Sequence, residues 1–214
     1  AQIDQTENTP DEKEMDFLKE NAPQAVEQAK EGIGRITTIV KSMKNFAYRD
    51  ASSEKKPNDL NQAIRSTSVV ATNEWKYHAE MELNLDETLP MVPCNIGEIN
   101  QVVLNLIVNG AHAIRDRFED GQKGTLIVMT RHYPEKNRVI ISITDNGGGI
   151  PQDVQARIFE PFFTTKEVGV GTGQGLAIAH NVIVKSHGGQ IWFESKPGEG
   201  TIFYISLLMS QEKE

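Results

Sequence analysis

Polar side chains recur along a mostly apolar stretch of the sequence, where they could contact a ligand. The stretch covers residues 96–117, and at spacings of three, four, four and three it carries Glu98, Gln101, Asn105, Asn109 and His112. These spacings place the five side chains in one stripe on an α-helix. A buried amide that lacks a partner costs about 1–3 kcal/mol. The asparagines therefore either satisfy neighbouring backbone groups or face a ligand or a hydrated metal ion.

A predicted strand ends in an aspartate that is followed by three glycines, in the segment VIISITDNGGGIP at 139–151. Taken alone, Asp-Asn-Gly is typical of a hairpin turn. In the functional interpretation, Asp145 accepts a hydrogen bond from the amine of a nucleotide base. Gly147 and Gly149 would then let the backbone approach the ring, because neither residue has a Cβ.

A glycine-rich loop opens a predicted helix in the segment GVGTGQGLAIAH at 169–180. Unpaired N–H groups at a helix start can bind phosphate, since the donors converge there and the helix dipole favours negative charge. Flexible linkers have a similar composition. The loop is not a Walker loop, because no Gly-Lys-Ser/Thr follows, and no strand directly precedes it as a dinucleotide fingerprint requires.

Three phenylalanines lie just before that loop, in RIFEPFFTTKE at 157–167. Phe159, Phe162 and Phe163 could hold a mobile lid on the core, with Thr164, Thr165 and Lys166 turned toward phosphates. Lys166 would supply a point charge near the terminal phosphate. The alternative is a surface loop that its aromatic side chains hold in place.

The elements around these segments alternate between helices and strands. Helices are predicted at 61–75, capped by Asn61, and at 96–117, 152–158 and 175–186; strands are predicted at 80–85, 125–132, 138–144, 190–194 and 201–207. Most strands are joined as hairpins. The pattern predicts an α+β fold, a two-layer α/β sandwich in which helices cover one face of a mixed, mostly antiparallel sheet.

The N-terminal third of the chain has a different character. Residues 1–14 are polar and predict a disordered lead-in, and 51–59 predict a linker before a domain at 60–210. Between them, 15–50 predict a long helix with a heptad seam formed by Val26, Ala29, Ile33, Ile36, Val40, Met43 and Ala47. Such a seam favours packing against another long helix, in a bundle or dimer. The alternative is an amphipathic helix that lies on its own domain's core.

Composition narrows the class of protein. The net charge of −8 argues against a nucleic-acid partner, and the single cysteine, Cys94, excludes internal disulfides and fits a reducing, cytoplasmic compartment. No stretch approaches the roughly 20 apolar residues that span a bilayer. The first residues are not a signal peptide and lack an initiator methionine, which predicts a fragment of a longer protein that a membrane segment elsewhere could anchor.

Five motifs, in this order, resemble the ATPase domain of sensor histidine kinases, within the GHKL group that includes gyrase, MutL and heat-shock chaperones. They are NLIVN at 105–109 (the N box), DNGGGI at 145–150 (the first glycine box), IFEPFFTTK at 158–166 (the F box), GTGQGL at 171–176 (the second glycine box) and GEGTIFYISL at 198–207 (the closing strand). The similarity covers about 58–208 and implies a Bergerat-type fold. Residues 30–50 resemble the second helix of the kinase dimerisation hairpin.

The resemblance implies ATP and Mg²⁺ as ligands. It implies that Asp145 recognises adenine with support from Thr201, that Asn109 holds Mg²⁺ with help from Asn105, and that Asn105 and Lys166 are the catalytic residues. The full nucleotide-binding set that it implies is Asn105, Asn109, His112, Asp145, Gly147, Gly149, Ile150, Thr165, Lys166, Gly171, Thr172, Gly173, Gln174, Gly175, Leu176 and Thr201. His112 stands where many relatives have lysine or glutamine, and Gln174 replaces the usual leucine.

The resemblance also implies an activity and partners. The family transfers the ATP γ-phosphate to a histidine for relay to an aspartate of a response-regulator receiver domain, and homodimerises through the hairpin that includes 25–47. None of this chain's histidines, His78, His112, His132, His180 and His187, has the phosphoacceptor context. The sequence therefore predicts that the phosphoacceptor helix is absent from this chain, which cannot phosphorylate itself.

Three other function classes share parts of this pattern. ATP-gated clamps such as gyrase and MutL carry a glutamate base where this chain has Asn105, and an amide is a poor proton acceptor. A non-catalytic ATP-binding interaction module would not need intact N and glycine boxes. Anti-sigma serine kinases share the fold but are not expected to carry the heptad helix.

Overall fold

In a computed structural model of the chain, the described residues are Met15, Phe17, 19–23, 25–30, Ile33, 55–119, 121–166 and 171–209. The chain divides into two compact units, Ala1–Tyr48 with Lys166–Val170, and Arg49–Thr165 with Gly171–Glu214. Each unit is described by itself below. Within the described residues, no helix has both the length and the apolar character that crossing a membrane requires.

The N-terminal unit is helical at its described residues between Met15 and Ile33. Two apolar seam residues there, Val26 and Ile33, are 64% and 65% exposed. The rest of the seam, from Ile36 to Ala47, lies outside the described residues. Packing of this helix against a partner therefore stays a prediction.

The second unit is built on a five-stranded sheet. Its strands are β2 (Ala79–Asn84), β4 (Gly124–Tyr133), β5 (Arg138–Asp145), β6 (Gln190–Lys196) and β7 (Gly200–Leu208), in the spatial order β2-β4-β5-β7-β6. The edge strand β2 runs parallel to β4, and every other pair is antiparallel. The predicted mixed, mostly antiparallel sheet is confirmed.

Helices cover one face of this sheet. They are α1 (Leu60–Val70), α2 (Thr72–Trp75), α3 (Ile96–Arg117) and α4 (Gly175–His180), and α4 continues as a π-helix over Asn181–Ser186. Single 3₁₀ turns lie at Pro134–Lys136 and Gln155–Arg157. A short antiparallel ribbon joins β1 (Lys56–Asn58) to β3 (Val92–Cys94).

The core lies between α3 and the sheet. Alternate residues of β5, namely Val139, Ile141, Ile143 and Asp145, are buried, as expected for a strand covered on one face. From the other side, α3 contributes Ile99, Val102, Val103, Leu106, Ile107 and Ile114. Each fully buried aliphatic side chain of this kind contributes about 1.5–3 kcal/mol. The α+β two-layer sandwich is therefore confirmed. The packing of this core keeps α3 against the end of β5.

Several predicted boundaries were wrong. Part of the predicted linker, Lys56–Asn58, is strand β1. The cap of α1 is Asp59, whose side chain accepts from the N–H of Gln62, whereas Asn61 lies inside the helix and donates to the carbonyl of Asp86. The helix predicted at 152–158 is only a 3₁₀ turn.

Candidate functional site

Asp145 is the last residue of β5 and is almost completely buried, with 6% of its surface exposed. The backbone N–H of Gly147 donates to its Oδ1 at 2.9 Å, and the backbone of Thr201 on β7 donates a second hydrogen bond. Burial raises the pKa of Asp145 to about 6, although these two hydrogen bonds act in the opposite direction. Among the described residues this carboxyl has no ion-pair partner. It is therefore a buried acceptor that a donor from a ligand could satisfy.

The first glycine segment lies between α3 and the β6–β7 turn. A Cβ on Gly147 would lie 2.6 Å from the Ala113 carbonyl carbon, and a Cβ on Gly149, which has a positive φ of 70°, would collide with the carbonyl of Lys196. Gly148 donates to the Ala113 carbonyl at 3.3 Å. The protein's own backbone thus requires glycine at 147 and 149, a different reason from the predicted approach of a ring. Contact between these residues and a ligand stays a prediction.

A hydroxyl group next to Asp145 was missed in the sequence. Ser195 on β6 lies directly opposite Thr201, which in turn lies opposite Asp145, so one row of side chains crosses three strands. The Ser195 Oγ accepts from the Ile150 N–H at 2.8 Å and lies 2.9 Å from the Thr201 Oγ1. It also donates to the Gly200 carbonyl at 3.2 Å. Only the register of the strands reveals this row, and that register cannot be read from the linear sequence.

Two residues of α3 that lie outside the sequence motifs also shape the site. Arg117 donates from Nη1 to the carbonyls of Asn146 at 2.6 Å, Gly147 at 3.1 Å and Glu199 at 3.3 Å. Gly110 lies against the aspartate, since a Cβ there would be 3.2 Å from the Asp145 Cβ and 3.6 Å from its Oδ2. The end of β5 and the glycine turn are therefore held by α3.

The predicted polar stripe of α3 is half-buried along its whole length. Its two ends are near other side chains: Glu98 Oε2 lies 3.7 Å from His187 Nδ1, and His112 Nε2 lies 3.6 Å from Glu74 Oε2. In the middle, Asn105 Nδ2 donates to the Gly175 carbonyl at 3.3 Å. The Asn109 amide makes no hydrogen bond to any described residue. Asn109 is therefore available to a ligand, while Asn105 links α3 to the start of α4.

The second glycine segment begins α4 and packs on the phenylalanine segment. Gly173 has a positive φ of 64°, and a Cβ there would collide with the backbone of Phe162. Gln174 precedes the helix and is 8% exposed, and its buried Nε2 has no partner among the described residues. Thr172 Oγ1 accepts from the Gln174 N–H at 3.4 Å, and Leu176 packs on the core. Gly171 and Gly175 are half-buried on either side.

Two of the three predicted anchors, Phe159 and Phe163, pack against the core, while the mobility of this segment as a lid stays a prediction. The ring of Phe159 lies 5.3 Å from that of His180, and the guanidinium of Arg157 lies 4.5 Å from the ring centre of Phe163. Phe162 was predicted wrongly as an anchor, because it is 62% exposed and has a positive φ of 66°. Thr165 is exposed. Lys166 belongs to the N-terminal unit, so its approach to phosphates stays a prediction.

Comparison with known proteins identifies the family that has this arrangement. Residues 95–211 match the family described as histidine kinase-, DNA gyrase B- and HSP90-like ATPase. The chain belongs to this family. Its matched region begins at the residue that caps α3 and runs past the end of β7, so it includes the asparagine stripe, both glycine segments and the closing strand.

Within this ATPase family, the chain is similar to histidine kinases. It is 34% identical over 191 residues to the sensor kinase CckA of Brucella abortus, which covers 83% of this chain and 19% of that protein. It is 37% identical over 150 residues to the sensor histidine kinase ZraS of Salmonella typhi, covering 70% of this chain and 30% of that protein. The chain thus spans less than a third of these curated relatives.

Solved structures agree with this placement. The nucleotide-free catalytic domain of the histidine kinase ThkA superposes with a TM-score of 0.62 at 29% identity, covering 73% of this chain and 98% of that one. A structure of ThkA in complex with the response regulator protein TrrA superposes with a TM-score of 0.65 at 25% identity, covering 97% of this chain and 55% of that one. The fold is that of histidine kinase catalytic domains.

The side chains of this ATPase domain could bind a magnesium ion only together with the phosphates of a nucleotide. Within the described ranges, no group of three or more His, Cys, Asp or Glu side chains is arranged to hold a metal. Mg²⁺ commonly takes few protein ligands and fills its shell with waters and substrate phosphates. The Asn109 amide oxygen, which no described residue engages, suits that role.

Proposed function

We propose that this chain is the ATP-binding catalytic part of a sensor histidine kinase, which binds Mg·ATP and presents its γ-phosphate to a histidine. One observation carries the proposal. Asp145 is a buried carboxyl without a cationic partner among the described residues, and it lies against the helix that also carries Asn109. The site thus combines an acceptor for a base amine with an amide ligand for a phosphate-bound metal.

In this mechanism the described residues bind and orient the nucleotide, and the amide of Asn105 does not act as a general base. Asp145 accepts from the amine of adenine, and Asn109 holds Mg²⁺, which neutralises phosphate charge when it is bound. Gly171, Gly173 and Gly175 offer backbone N–H groups to the phosphates, and Lys166 adds a positive charge. Phosphoryl transfer depends mainly on such positioning and charge stabilisation.

The structure argues against a hydrolytic clamp as the main activity. Asn105 occupies the position where clamps of this family are expected to have their base, and its amide donates to the Gly175 carbonyl. An amide in that arrangement cannot take a proton from water. Transfer to a protein side chain is therefore favoured over hydrolysis.

The partners follow from the same proposal. None of this chain's five histidines has the phosphoacceptor context, so the proposed acceptor is a histidine of a dimerisation hairpin, from which the phosphate passes to a response-regulator receiver domain. The complex of ThkA with a response regulator supports that partner by similarity. We also propose that the full hairpin dimerises through the helix at 25–47, and that this part of the protein works in the cytoplasm.

A binding experiment on Asp145→Asn tests the proposed function. Titration calorimetry with ADP and Mg²⁺ should show binding to the wild-type chain and about 10- to 100-fold weaker binding to the variant, because a hydrogen bond to a charged acceptor is lost. Asp153→Asn is the matched control, since Asp153 is exposed on the surface. Equal ADP affinity in wild type and Asp145→Asn would refute the adenine pocket.

A further inference from the structure

Ser195 has three polar contacts and only one proton to give. A serine hydroxyl carries one donor and two acceptor lone pairs. The Ile150 N–H occupies one lone pair at 2.8 Å, while the Gly200 carbonyl, 3.2 Å away, can only accept. If Ser195 gives its proton to that carbonyl, its second lone pair is left for Thr201.

The hydroxyl of Thr201 must then donate to Ser195, across the 2.9 Å that separates their oxygens. This is the arrangement that satisfies all three contacts at once. If Ser195 donated to Thr201 instead, the contact with the Gly200 carbonyl would be lost. Thr201 has a single hydroxyl proton, so once this proton points to Ser195 its oxygen offers only lone pairs to the rest of the site.

Thr201 and Asp145 therefore both offer hydrogen-bond acceptors, and they lie next to each other on the sheet. They are direct cross-strand neighbours, so their side chains share the helix-covered face, and both are at least nine-tenths buried. An ionised carboxylate is an acceptor without a donor, and the oriented threonine oxygen is another. Two adjacent acceptors attract a group with two N–H bonds and repel a carbonyl oxygen.

We propose that Ser195 is a specificity-determining residue: by orienting the Thr201 hydroxyl, it makes the pocket select a purine with a 6-amino group over one with a 6-oxo group. This inference rests on the proposed function, because it requires the base to lie at Asp145. Ser195 acts through Thr201 and does not itself touch the base. Without Ser195, the Thr201 hydroxyl would be free to rotate and donate to a 6-oxo group.

The experiment compares ADP with IDP, which differ at position 6 of the purine. We expect the wild-type chain to bind ADP more tightly, and Ser195→Ala to reduce the ratio of ADP to IDP affinity by about five- to tenfold, the effect of one redirected hydrogen bond. Ser195→Thr keeps the hydroxyl and should keep the ratio. Ser142→Ala removes a hydroxyl from the opposite face of β5 and should change neither affinity.

Thr201→Val separates this role from a merely structural one. In that background there is no hydroxyl to orient, so adding Ser195→Ala should leave the affinity ratio unchanged. If Ser195→Ala weakens ADP and IDP equally, Ser195 only supports the backbone of Ile150 and the inference is wrong. If wild type binds ADP and Ser195→Ala has the same ratio of ADP to IDP affinity as wild type, this inference alone is wrong. If wild type binds neither nucleotide, the proposed function is wrong as well.

Discussion

At the scale of one residue, Asp145 makes the ligand-free protein less stable at neutral pH. Burial raises its pKa to about 6 in the folded protein, above the ordinary value of 3.8. Between these two values the unfolded chain releases a proton that the folded protein keeps, so stability falls as the pH rises. The contribution of the protonated carboxyl is present in full below about pH 4 and is lost as the pH passes about 6.

We therefore expect Asp145→Asn to remove this pH dependence. Between about pH 4.5 and 7.5, the free energy of unfolding of the variant should improve relative to wild type by about 2 kcal/mol. Denaturant titration without nucleotide measures it, with Asp153→Asn as the control. Parallel pH profiles for Asp145→Asn and wild type would contradict the prediction. A variant that gains stability at neutral pH while losing ADP would show that the carboxylate serves binding.

At the scale of elements, the C-terminal turn of α3 holds the glycine turn that follows β5. The Nη1 of Arg117 donates to the carbonyls of Asn146 and Gly147 in that turn, and to the carbonyl of Glu199 in the turn between β6 and β7. The peptide group between Asn146 and Gly147 accepts from Arg117 through the Asn146 carbonyl, and its Gly147 N–H donates to Asp145. We therefore propose that Arg117 is a positioning residue that acts through the backbone on the proposed adenine pocket.

Arg117→Gln should weaken ADP binding by about fivefold, because about 1 kcal/mol of net hydrogen bonding to the turn is lost. Calorimetry measures it. Arg115→Gln is the control, because the Arg115 guanidinium bonds its surface neighbour Asp116. A positioning role predicts that IDP, which gains less from Asp145, loses less affinity than ADP. Equal losses for both nucleotides would indicate a general loosening of the fold instead.

The elements also show what the sequence could predict. The bounds of α3 were predicted correctly at 96–117, because an apolar helical period runs unbroken after Asn95, whose side chain caps the helix. Strand β1 was missed, since three residues around a proline show no alternation. The π-helical end of α4 has no sequence signal that separates it from an α-helix. Asn61 was mistaken for a cap because asparagine caps helices well, whereas its amide serves a tertiary contact.

The residues of the site also divide into those that the sequence reveals and those that it does not. Asp145, Asn109 and the glycines lie in contiguous motifs, so the order of residues is enough to find them. Ser195, Arg117 and Gly110 contribute through cross-strand register or close helix–strand packing, and neither is visible in a linear pattern. The residues that we propose to touch a ligand are therefore visible as sequence motifs, whereas the residues that hold them in place are not.

At the scale of the whole molecule, the burial of the five histidines bears on whether this chain could phosphorylate itself. None of the five is exposed: four are half-buried and His187 is buried. His187 uses both ring nitrogens, since Nε2 accepts from the Asn95 N–H at 3.1 Å and Nδ1 lies 2.9 Å from the Val182 carbonyl. His180 lies against the ring of Phe159. An in-line attack on a γ-phosphate needs an accessible imidazole nitrogen.

We therefore expect these 214 residues, incubated with labelled ATP and Mg²⁺, to acquire no acid-labile phosphate. A separate helical hairpin that carries a phosphoacceptor histidine should become labelled when it is added, because the proposed donor site lies within the ATPase domain. The same mixture with Asp145→Asn should show little transfer, since we expect that variant to bind nucleotide weakly. Acid-labile label on this chain alone would show that one of its own histidines is an acceptor, and label on neither partner would argue for a nucleotide-binding module without kinase activity.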